Sequence, residues 1–272
     1  MQSWADEIRR RNEKIGFVPT MGYLHRGHLS LIDAASGRCD RVVTSIYVNP
    51  IQFGPSEDYQ KYPRDIGRDS RLAEEHGTDV LFTPPDSEIY PRDFQTSVTV
   101  ERLTRGLCGK SRPSHFRGVT TVVASLFNIV KPHIAFFGAK DAQQAVVIDR
   151  MARDLHFDVE IEVMPIVRDD DGLALSSRND YLSAGQRRDA VALSRALFDA
   201  RSAVENGERD AARLRGGIEN RLEGVPECRI DYVEIVDAES LEPLERIQGR
   251  VLIAAAICIG PTRLIDNIIV TV

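Results

Sequence analysis

Between Ile15 and about Ile166 the chain alternates short apolar runs with longer amphipathic stretches. Runs that are apolar at nearly every position are typical of parallel strands covered on both faces, and they are "IGFVPT", "RVVTSIYV", "DVLFTP", "IAFFG" and "VEIEVMPI". The segments between them have the apolar spacing of helices, and they are "GHLSLIDAASGRC", "RDIGRDSRLAEEHG", "TTVVASLFNIV" and "DAQQAVVIDRMARDLH". This alternation predicts right-handed crossovers and a doubly wound parallel α/β sheet over residues 1–166, preceded by a surface helix in "SWADEIRRRNEK".

After Val167 the pattern changes. A polar, turn-rich segment, "RDDDGLALSSRND", precedes two amphipathic helices, "SAGQRRDAVALSRALFDARSAVENG" and "RDAARLRGGIENRLEG". Three apolar, β-rich runs follow, "IDYVEIVD", "RVLIAAAICIG" and "TRLIDNIIVTV". We therefore expect a smaller α+β domain over residues 167–272.

Composition narrows the class of protein. The 272 residues are 42% hydrophobic, enough for a sizeable core. The net charge of -6 disfavours a general nucleic-acid partner. No apolar run is long enough to cross a bilayer, no segment has the pattern of a signal peptide, and the four cysteines lie far apart. We expect a cytoplasmic protein with reduced thiols and no membrane partner.

Two histidines lie where a predicted strand ends and a predicted helix begins, in "GFVPTMGYLHRGHLSLI". A helix N-terminus offers backbone N–H groups and a positive dipole end, and Gly27 allows close approach of a phosphate. His25 and His28 on either side could both donate to its oxygens. The alternative is two surface histidines on a loop.

A similar junction occurs in "FFGAKDAQQ". Only five of the 35 basic residues are lysines, and Lys140 is one of them, placed between a strand end and a helix start where it could contact a phosphate. Asp141 could cap the helix or accept a ribose hydroxyl. Of Gln143 and Gln144, one turn further on, we expect one to be solvated and the other to face a ligand.

Two further polar groups lie in predicted loops. "GLALSSRN" places the hydroxyls of Ser176 and Ser177 beside the guanidinium of Arg178, which suits phosphate oxygens. "VNPIQFG" places Asn49 and Gln52 just beyond a strand, where neutral amides could recognise a small hydroxylated acid. Each could also be an ordinary polar loop.

The segment "SRPSHFRG" supplies Arg112, His115 and Arg117 before a helix. From the sequence it could be a substrate gate, a phosphate contact or a surface loop.

Two histidines, a lysine and an arginine, with no Walker A glycine loop, suggest attack at the α-phosphorus of a nucleoside triphosphate. A carboxylate that attacks there forms an acyl adenylate and releases pyrophosphate, and the enzyme positions the groups and stabilises charge. No cysteine or Ser-His-Asp pattern offers a protein nucleophile.

Taken together and in order, five motifs make the chain closely similar to the pantoate–β-alanine ligase family over nearly its whole length. They are "PTMGYLHRGH", "VNPIQF", "RPSHFRGV", "FFGAKDAQQ" and "DGLALSSRN". The resemblance implies a Rossmann-like domain, a small C-terminal lid domain and a homodimer. It also implies two steps: pantoate attacks Mg-ATP to give pantoyl adenylate and pyrophosphate, and β-alanine then displaces AMP to give pantothenate.

The resemblance also implies site residues. The ATP set is Met21, Gly22, His25, His28, Gly138, Ala139, Lys140, Asp141, Val167, Leu175, Ser176, Ser177 and Arg178, of which His25, His28, Lys140 and Arg178 carry the chemistry. The substrate set is Gln52 and Gln144, to which the loop position adds Asn49. No protein ligand to a metal is expected, since Mg²⁺ comes with the ATP phosphates.

Some points stay open at the level of sequence. The family assigns His28 as a proton donor, whereas the chemistry favours a phosphate clamp, because a carboxylate nucleophile needs no base. Ser114 stands where the family usually has glycine, which bears on that loop's conformation, and the N-terminal segment looks shorter than usual. The rival functions are an adenylyltransferase, which keeps AMP in its product, and a non-catalytic nucleotide sensor.

Overall fold

The computed structural model describes residues 1–55 and 57–272. The α-helices of these ranges are α1 (Gln2–Arg10), α2 (Arg26–Ser36), α3 (Ile66–Glu75), α4 (Asp86–Ile89), α5 (Leu107–Ser111), α6 (His115–Val130), α7 (Ala142–Asp154), α8 (Ala184–Glu205) and α9 (Ala211–Glu223). The strands are β1 (Ile15–Thr20), β2 (Arg41–Ile46), β3 (Val80–Phe82), β4 (Ile134–Gly138), β5 (Glu160–Met164), β6 (Cys228–Asp237), β7 (Arg250–Ile259) and β8 (Thr262–Thr271). Short 3₁₀ helices lie at Pro50–Gln52, Tyr59–Lys61, Ala139–Asp141 and Ser177–Tyr181.

The first five strands form one parallel sheet in the order β3-β2-β1-β4-β5. The chain moves outward from β1 through β2 to β3, and then returns to the other side of β1 with β4. Ligands of such sheets bind beyond the carboxyl ends of the strands at the point where the order reverses, here between β1 and β4. The segments after β1 and β4 carry the predicted histidine and lysine motifs.

The sheet is doubly wound, as predicted, because successive residues of its central strands are buried in different layers. Phe17 and Ala135 belong to a cluster that includes residues of α1, α6 and α7. Val18 and Phe136 belong to a second cluster, with residues of α2 and α3. Burial on both faces explains why these strands read as nearly continuous apolar runs.

Three elements differ from the sequence expectation. β5 is an edge strand, so its Val163 is 46% exposed rather than covered. α6 begins at His115, five residues before the predicted start, because the polar "HFRG" segment is part of the helix. α1 is more than a surface helix, since Ala5 and Ile8 are buried in the core.

The C-terminal region contains an antiparallel sheet in the order β6-β7-β8. Alternate residues of β7, such as Val251 and Ile253, pack in one cluster with the apolar faces of α8 and α9. A reciprocal capping box between Ser183 and Gln186 starts α8. This is the smaller α+β fold that the sequence predicts.

The chain divides into two compact units. The first comprises Met1–Arg105, Arg112–Ala139 and Gln144–Pro165, and the second comprises Gly106–Ser111, Lys140–Gln143 and Ile166–Val272. Lys140 therefore packs with the C-terminal unit, although it follows a strand of the first. The simple division into residues 1–166 and 167–272 remains a prediction.

No helix within the described ranges is both long and apolar enough to cross a membrane.

Candidate functional site

The loop after β1 is held by a buried carboxylate. Gly22 and Tyr23 both have positive φ, 83° and 52°, so the chain turns sharply here. Asp69 of α3, 1% exposed, accepts hydrogen bonds from the main-chain N–H groups of Tyr23 at 2.6 Å and Leu24 at 2.8 Å. A Cβ on Gly22 would lie only 2.8 Å from Ile46 Cγ2, so this turn requires glycine. The loop therefore has one well-defined path.

The two histidines form the cap of α2. The Nδ1 atom of His25 accepts from the Gly27 N–H at 3.1 Å, and the Nδ1 atom of His28 accepts from the His25 N–H at 3.3 Å. Their rings stack with centroids 4.0 Å apart. A neutral imidazole that accepts at Nδ1 carries its proton on Nε2, so both rings are Nε2–H donors.

This geometry changes one expectation from the sequence. The N-terminus of this helix was expected to offer N–H groups to an anion, but the N–H groups of Gly27 and His28 bond to His25, to its Nδ1 and its carbonyl oxygen respectively. Capping uses these donors inside the chain.

Asn49 and Gln52 follow β2 and belong to one buried polar network. Asn49 Nδ2 donates to Gln52 Oε1 at 3.1 Å and to the Gly118 carbonyl at 3.1 Å, and its Oδ1 accepts from the Tyr90 hydroxyl at 2.8 Å. Gln52 Nε2 lies 3.1 Å from Met21 Sδ. Burial raises the pKa of the Tyr90 phenol, with the charge of Asp86 acting in the same direction, so the O–H remains a donor at neutral pH. The two amides thus have defined orientations.

The "SRPSHFRG" segment packs against the back of Gln52, and we call its contacts the Gln52 bracket. His115 Nδ1 lies 3.0 Å from the Gln52 carbonyl oxygen, and Arg112 Nη2 donates to the same oxygen at 3.4 Å. Arg112 also forms two hydrogen bonds to the carboxylate of Glu57, at 2.7 and 2.5 Å. Gly118 completes the bracket, because a Cβ there would lie 2.6 Å from the Gln52 main chain.

The bracket gives Arg112 and His115 a structural contact that the sequence did not indicate. Burial alone would raise the pKa of Glu57, but the hydrogen bonds and charge of Arg112 outweigh it, and the pKa lies below its usual range. The carboxylate therefore stays ionised and the pair intact at neutral pH. In this structure the segment supports the main chain of Gln52. Ser114 is the residue before α6 and adopts an ordinary right-handed conformation, φ −91°, that does not require glycine.

The end of β4 is open. A Cβ added to Gly138 would meet no described atom within 4 Å, and Ala139 continues into the following 3₁₀ turn. Gln144 lies on the first turn of α7 and is half-buried. The first unit therefore places Met21, Gly22, the histidine pair, Asn49 and Gln52 after strands whose carboxyl ends share one edge of the sheet.

The second unit contains the lysine turn. Lys140 and Asp141 lie in the 3₁₀ turn Ala139–Asp141, with Lys140 half-buried and Asp141 exposed directly before α7. Gln143 is buried and donates from Nε2 to the Gly106 carbonyl at 3.0 Å. Gln143 thus has a structural contact, and because Gln144 is half-buried, neither amide is the solvated one that the sequence predicted.

Val167 and Leu175 are brought together in a small hairpin. The Leu175 N–H donates to the Val167 carbonyl at 3.0 Å, and Arg168 pairs with Ala174 in an antiparallel bridge. Arg168 forms two hydrogen bonds to the buried carboxylate of Asp266 on β8, at 2.6 and 2.9 Å. These hydrogen bonds therefore connect the hairpin to the C-terminal sheet.

The hydroxyl and guanidinium cluster follows this hairpin. Ser176 Oγ accepts from the Arg178 N–H at 3.3 Å and starts the 3₁₀ helix at Ser177. Ser177 is buried and Arg178 half-buried. The second unit thus collects Lys140, Asp141, Val167, Leu175 and the Ser176–Arg178 cluster.

The sequence did not indicate several residues that support the site, including Asp69, Glu57, Tyr90, Arg168 and Asp266. Asp69 lies in a helix rich in charged residues, where an acidic residue reads as part of the solvated face. Asp266 lies in an apolar strand without a nearby motif. A signal was available for Asp266, because Asp266 and Asn267 are polar residues flanked on both sides by apolar ones in "LIDNII".

Comparisons with known proteins agree on one family. A family profile described as pantoate-beta-alanine ligase matches residues 1–269. A pantothenate synthetase of Heliobacterium modesticaldum is 58% identical over 272 residues, covering 100% of this chain and 97% of the relative. The crystal structure of pantothenate synthetase from Thermus thermophilus has a TM-score of 0.92 and 49% identity over 97% of this chain and 96% of that one. The pantoate-beta-alanine ligase from Francisella tularensis, complexed with beta-gamma ATP and beta-alanine, has a TM-score of 0.78 and 33% identity over 98% and 94%.

Gly118→Ala tests the Gln52 bracket. The new Cβ would lie 2.6 Å from Gln52 main-chain atoms, so α6 and the Gln52 turn must separate, and we expect a loss of about 1–3 kcal/mol in the free energy of unfolding by urea. The control is Gly217→Ala in α9, whose Cβ would meet no described atom within 4 Å, and which should stabilise the protein by about 0.5–1 kcal/mol. Equal effects of the two substitutions would contradict the close approach.

Asp69→Asn tests the support of the β1 loop. Asparagine keeps one acceptor oxygen but turns an NH₂ group toward the other main-chain N–H, so we expect a loss of about 1–3 kcal/mol in the same urea measurement. Asp65→Asn is the matched control, because Asp65 caps the same helix by accepting from the Arg68 N–H and is exposed. Asparagine caps as well as aspartate, so that variant should be almost unchanged. A stable Asp69→Asn protein would show that the loop does not depend on this carboxylate.

Proposed function

Because the chain belongs to the pantoate–β-alanine ligase family, we propose that it condenses pantoate with β-alanine through a pantoyl adenylate. The observation that carries the proposal is the family match over residues 1–269. In the first step a carboxylate oxygen of pantoate bonds to the α-phosphorus of ATP. The bond between the α-phosphorus and the oxygen that bridges it to the β-phosphate breaks, and pyrophosphate leaves with that oxygen. In the second, the amine of β-alanine bonds to the acyl carbon and loses a proton, while AMP leaves with the electron pair of the acyl–oxygen bond.

The histidines act on the phosphates as hydrogen-bond donors in this proposal. Both rings carry the proton on Nε2, and the carboxylate of pantoate is already ionised at neutral pH, so no base is required. The tautomers favour His25 and His28 as clamps on phosphate oxygens. This is our preferred alternative to a proton-donor role for His28.

The remaining nucleotide contacts follow the chemistry of each group. Lys140 and Arg178 bring positive charge to the phosphates, and Ser176 and Ser177 bring hydroxyl donors. The exposed carboxylate of Asp141 suits a ribose hydroxyl. We further assign Met21, Gly22, Gly138, Ala139, Val167 and Leu175 as contacts through main chain or apolar surface, with Val167 at the adenine.

Gln52, Gln144 and Asn49 are the proposed pantoate contacts, with Gln52 also bordering β-alanine. Neutral amides donate and accept, which suits a substrate that carries both hydroxyl groups and a carboxylate. The Gln52 bracket supports this role, because it holds the Gln52 main chain while the side-chain amide is oriented by Asn49.

Mg²⁺ enters as part of the substrate Mg-ATP in this proposal. Among residues 1–55 and 57–272, no three His, Cys, Asp or Glu side chains are grouped as metal ligands. The phosphate oxygens of ATP supply the ligands that Mg²⁺ prefers.

We also propose that the protein works as a homodimer in the cytoplasm. Sedimentation velocity at several concentrations measures the assembly state, and a monomer at micromolar concentration would contradict it.

An assay with ATP, pantoate and β-alanine tests the function. The ligase releases AMP and pyrophosphate in equal amounts, and only when both carbon substrates are present does AMP accumulate steadily. An adenylyltransferase would release pyrophosphate and retain AMP in its product, and a nucleotide sensor would release neither. Either of those results would overturn the proposal.

Lys140→Ala should lower the rate of adenylate formation by at least ~100-fold, because a preorganised positive donor against developing phosphate charge is lost. Single-turnover pyrophosphate release measures this step. Lys110→Ala is the control, since Lys110 is an exposed lysine of the same unit and should leave the rate unchanged. A folded Lys140→Ala protein with a normal rate would remove Lys140 from the mechanism.

Gln144→Ala should weaken pantoate binding by about 1–3 kcal/mol and leave ATP binding nearly unchanged, because one desolvated amide contact is lost. Calorimetric titration with each ligand separates the two. The neighbouring Gln143→Ala provides the contrast, since loss of its bond to the Gly106 carbonyl should appear in the free energy of unfolding. Equal losses for both ligands in Gln144→Ala would mean that Gln144 supports the fold instead.

A further inference from the structure

Asn267 of β8 contacts the main chain of the lysine turn. Its Nδ2 donates to the Lys140 carbonyl oxygen at 2.9 Å, and the side chain is 4% exposed. The two residues are 127 positions apart in sequence, yet both belong to the second compact unit. Asn267 is not among the residues proposed to contact ATP or pantoate.

The neighbouring Asp266 holds this part of β8 in place. Its carboxylate is 3% exposed, accepts both hydrogen bonds from Arg168, and also accepts from the Asn267 N–H at 2.8 Å. Arg168 in turn donates to the Gly172 carbonyl at 3.0 Å. One buried network therefore joins the Val167–Leu175 hairpin, β8 and the Lys140 turn.

This network is relevant to catalysis because the position of a lysine ammonium depends on contacts that hold the lysine main chain. Its ammonium lies at the end of four flexible methylene groups. The region that the ammonium can reach therefore depends on the position of the lysine Cα atom. Lys140 lies in a 3₁₀ turn, whose hydrogen-bond geometry is poorer than that of an α-helix. A displacement of about 1 Å at a reacting group can cost ~100-fold in rate.

We infer that Asn267 is a positioning residue for Lys140, and that Asp266 with Arg168 holds Asn267 in a fixed position relative to the Val167–Leu175 hairpin. The inference rests on the proposed function, because it assigns Asn267 an effect only through the lysine that acts on ATP. Asn267 itself need not touch the substrate.

Asn267→Ala should lower single-turnover adenylate formation by ~10- to 100-fold at saturating ATP and pantoate, with most of the loss in kcat rather than KM. Asn267→Asp has nearly the same shape but cannot donate to a carbonyl oxygen, so its loss should be at least as large. The matched control is Thr262→Val on the same strand, because Thr262 is 3% exposed and its buried hydroxyl has no hydrogen-bond partner among the described residues. That variant should keep the wild-type rate.

A double-mutant cycle with Lys140→Ala separates positioning from general structural damage. If Asn267 acts through Lys140, adding Asn267→Ala to the Lys140→Ala protein should change the remaining rate by less than ~3-fold. Independent losses that multiply would overturn the inference. So would a folded Asn267→Asp protein with the wild-type rate.

The same assay separates the proposed function from the positioning role. Pyrophosphate release by the wild-type protein, measured first, tests the proposed function by itself, and its absence would overturn both. An active wild type with unimpaired Asn267 variants would overturn the positioning role alone.

Discussion

The hydrogen bond between a buried side chain and the main chain of a loop is the interaction on which the candidate site depends. Loops after parallel strands lose the ladder bonds of the sheet, yet their N–H and C=O groups must still be satisfied when water is excluded. Asp69 satisfies two N–H groups of the loop after β1, and His115 bonds to the Gln52 carbonyl. Asn267 does the same for the Lys140 carbonyl. In each case a side chain from later in the sequence holds the main chain at, or next to, a proposed ligand-binding residue.

Such support is useful for a reaction in which no protein group forms a covalent bond. Adenylate formation requires donors that are already oriented when charge shifts to the phosphates. The reciprocal cap of His25 and His28 meets that requirement, because it leaves each ring with its proton on Nε2. The Asn49–Gln52 network similarly orients amides that could pair with a hydroxylated acid. Both sets are preorganised by contacts within the protein rather than by the ligand.

The fold could be predicted largely because the sequence patterns that indicate its strands and its helices are local. Doubly buried strands such as β1 and β4 read as apolar runs, and α8 combines a capping box with an amphipathic stripe. The smaller α+β unit followed from the same reasoning. Local patterns were weaker where burial depends on position in the sheet, so the exposure of Val163 on the edge strand β5 was not expected. The early start of α6 was missed as well, because its first turn is polar.

The class of fold, the order of the elements and the motifs that identify the family depend on residue types at short spacing, and the sequence alone was sufficient to predict them. The contacts that hold those motifs in place became visible only in the tertiary structure. It showed that the N–H groups expected to bind an anion are used in the His25 cap, and that Arg112 and His115 support Gln52. It also showed that Lys140 packs with the C-terminal unit and meets Asn267. These contacts join residues far apart in the chain, and a hydrogen bond between them depends on distances of a few ångströms that no local pattern encodes.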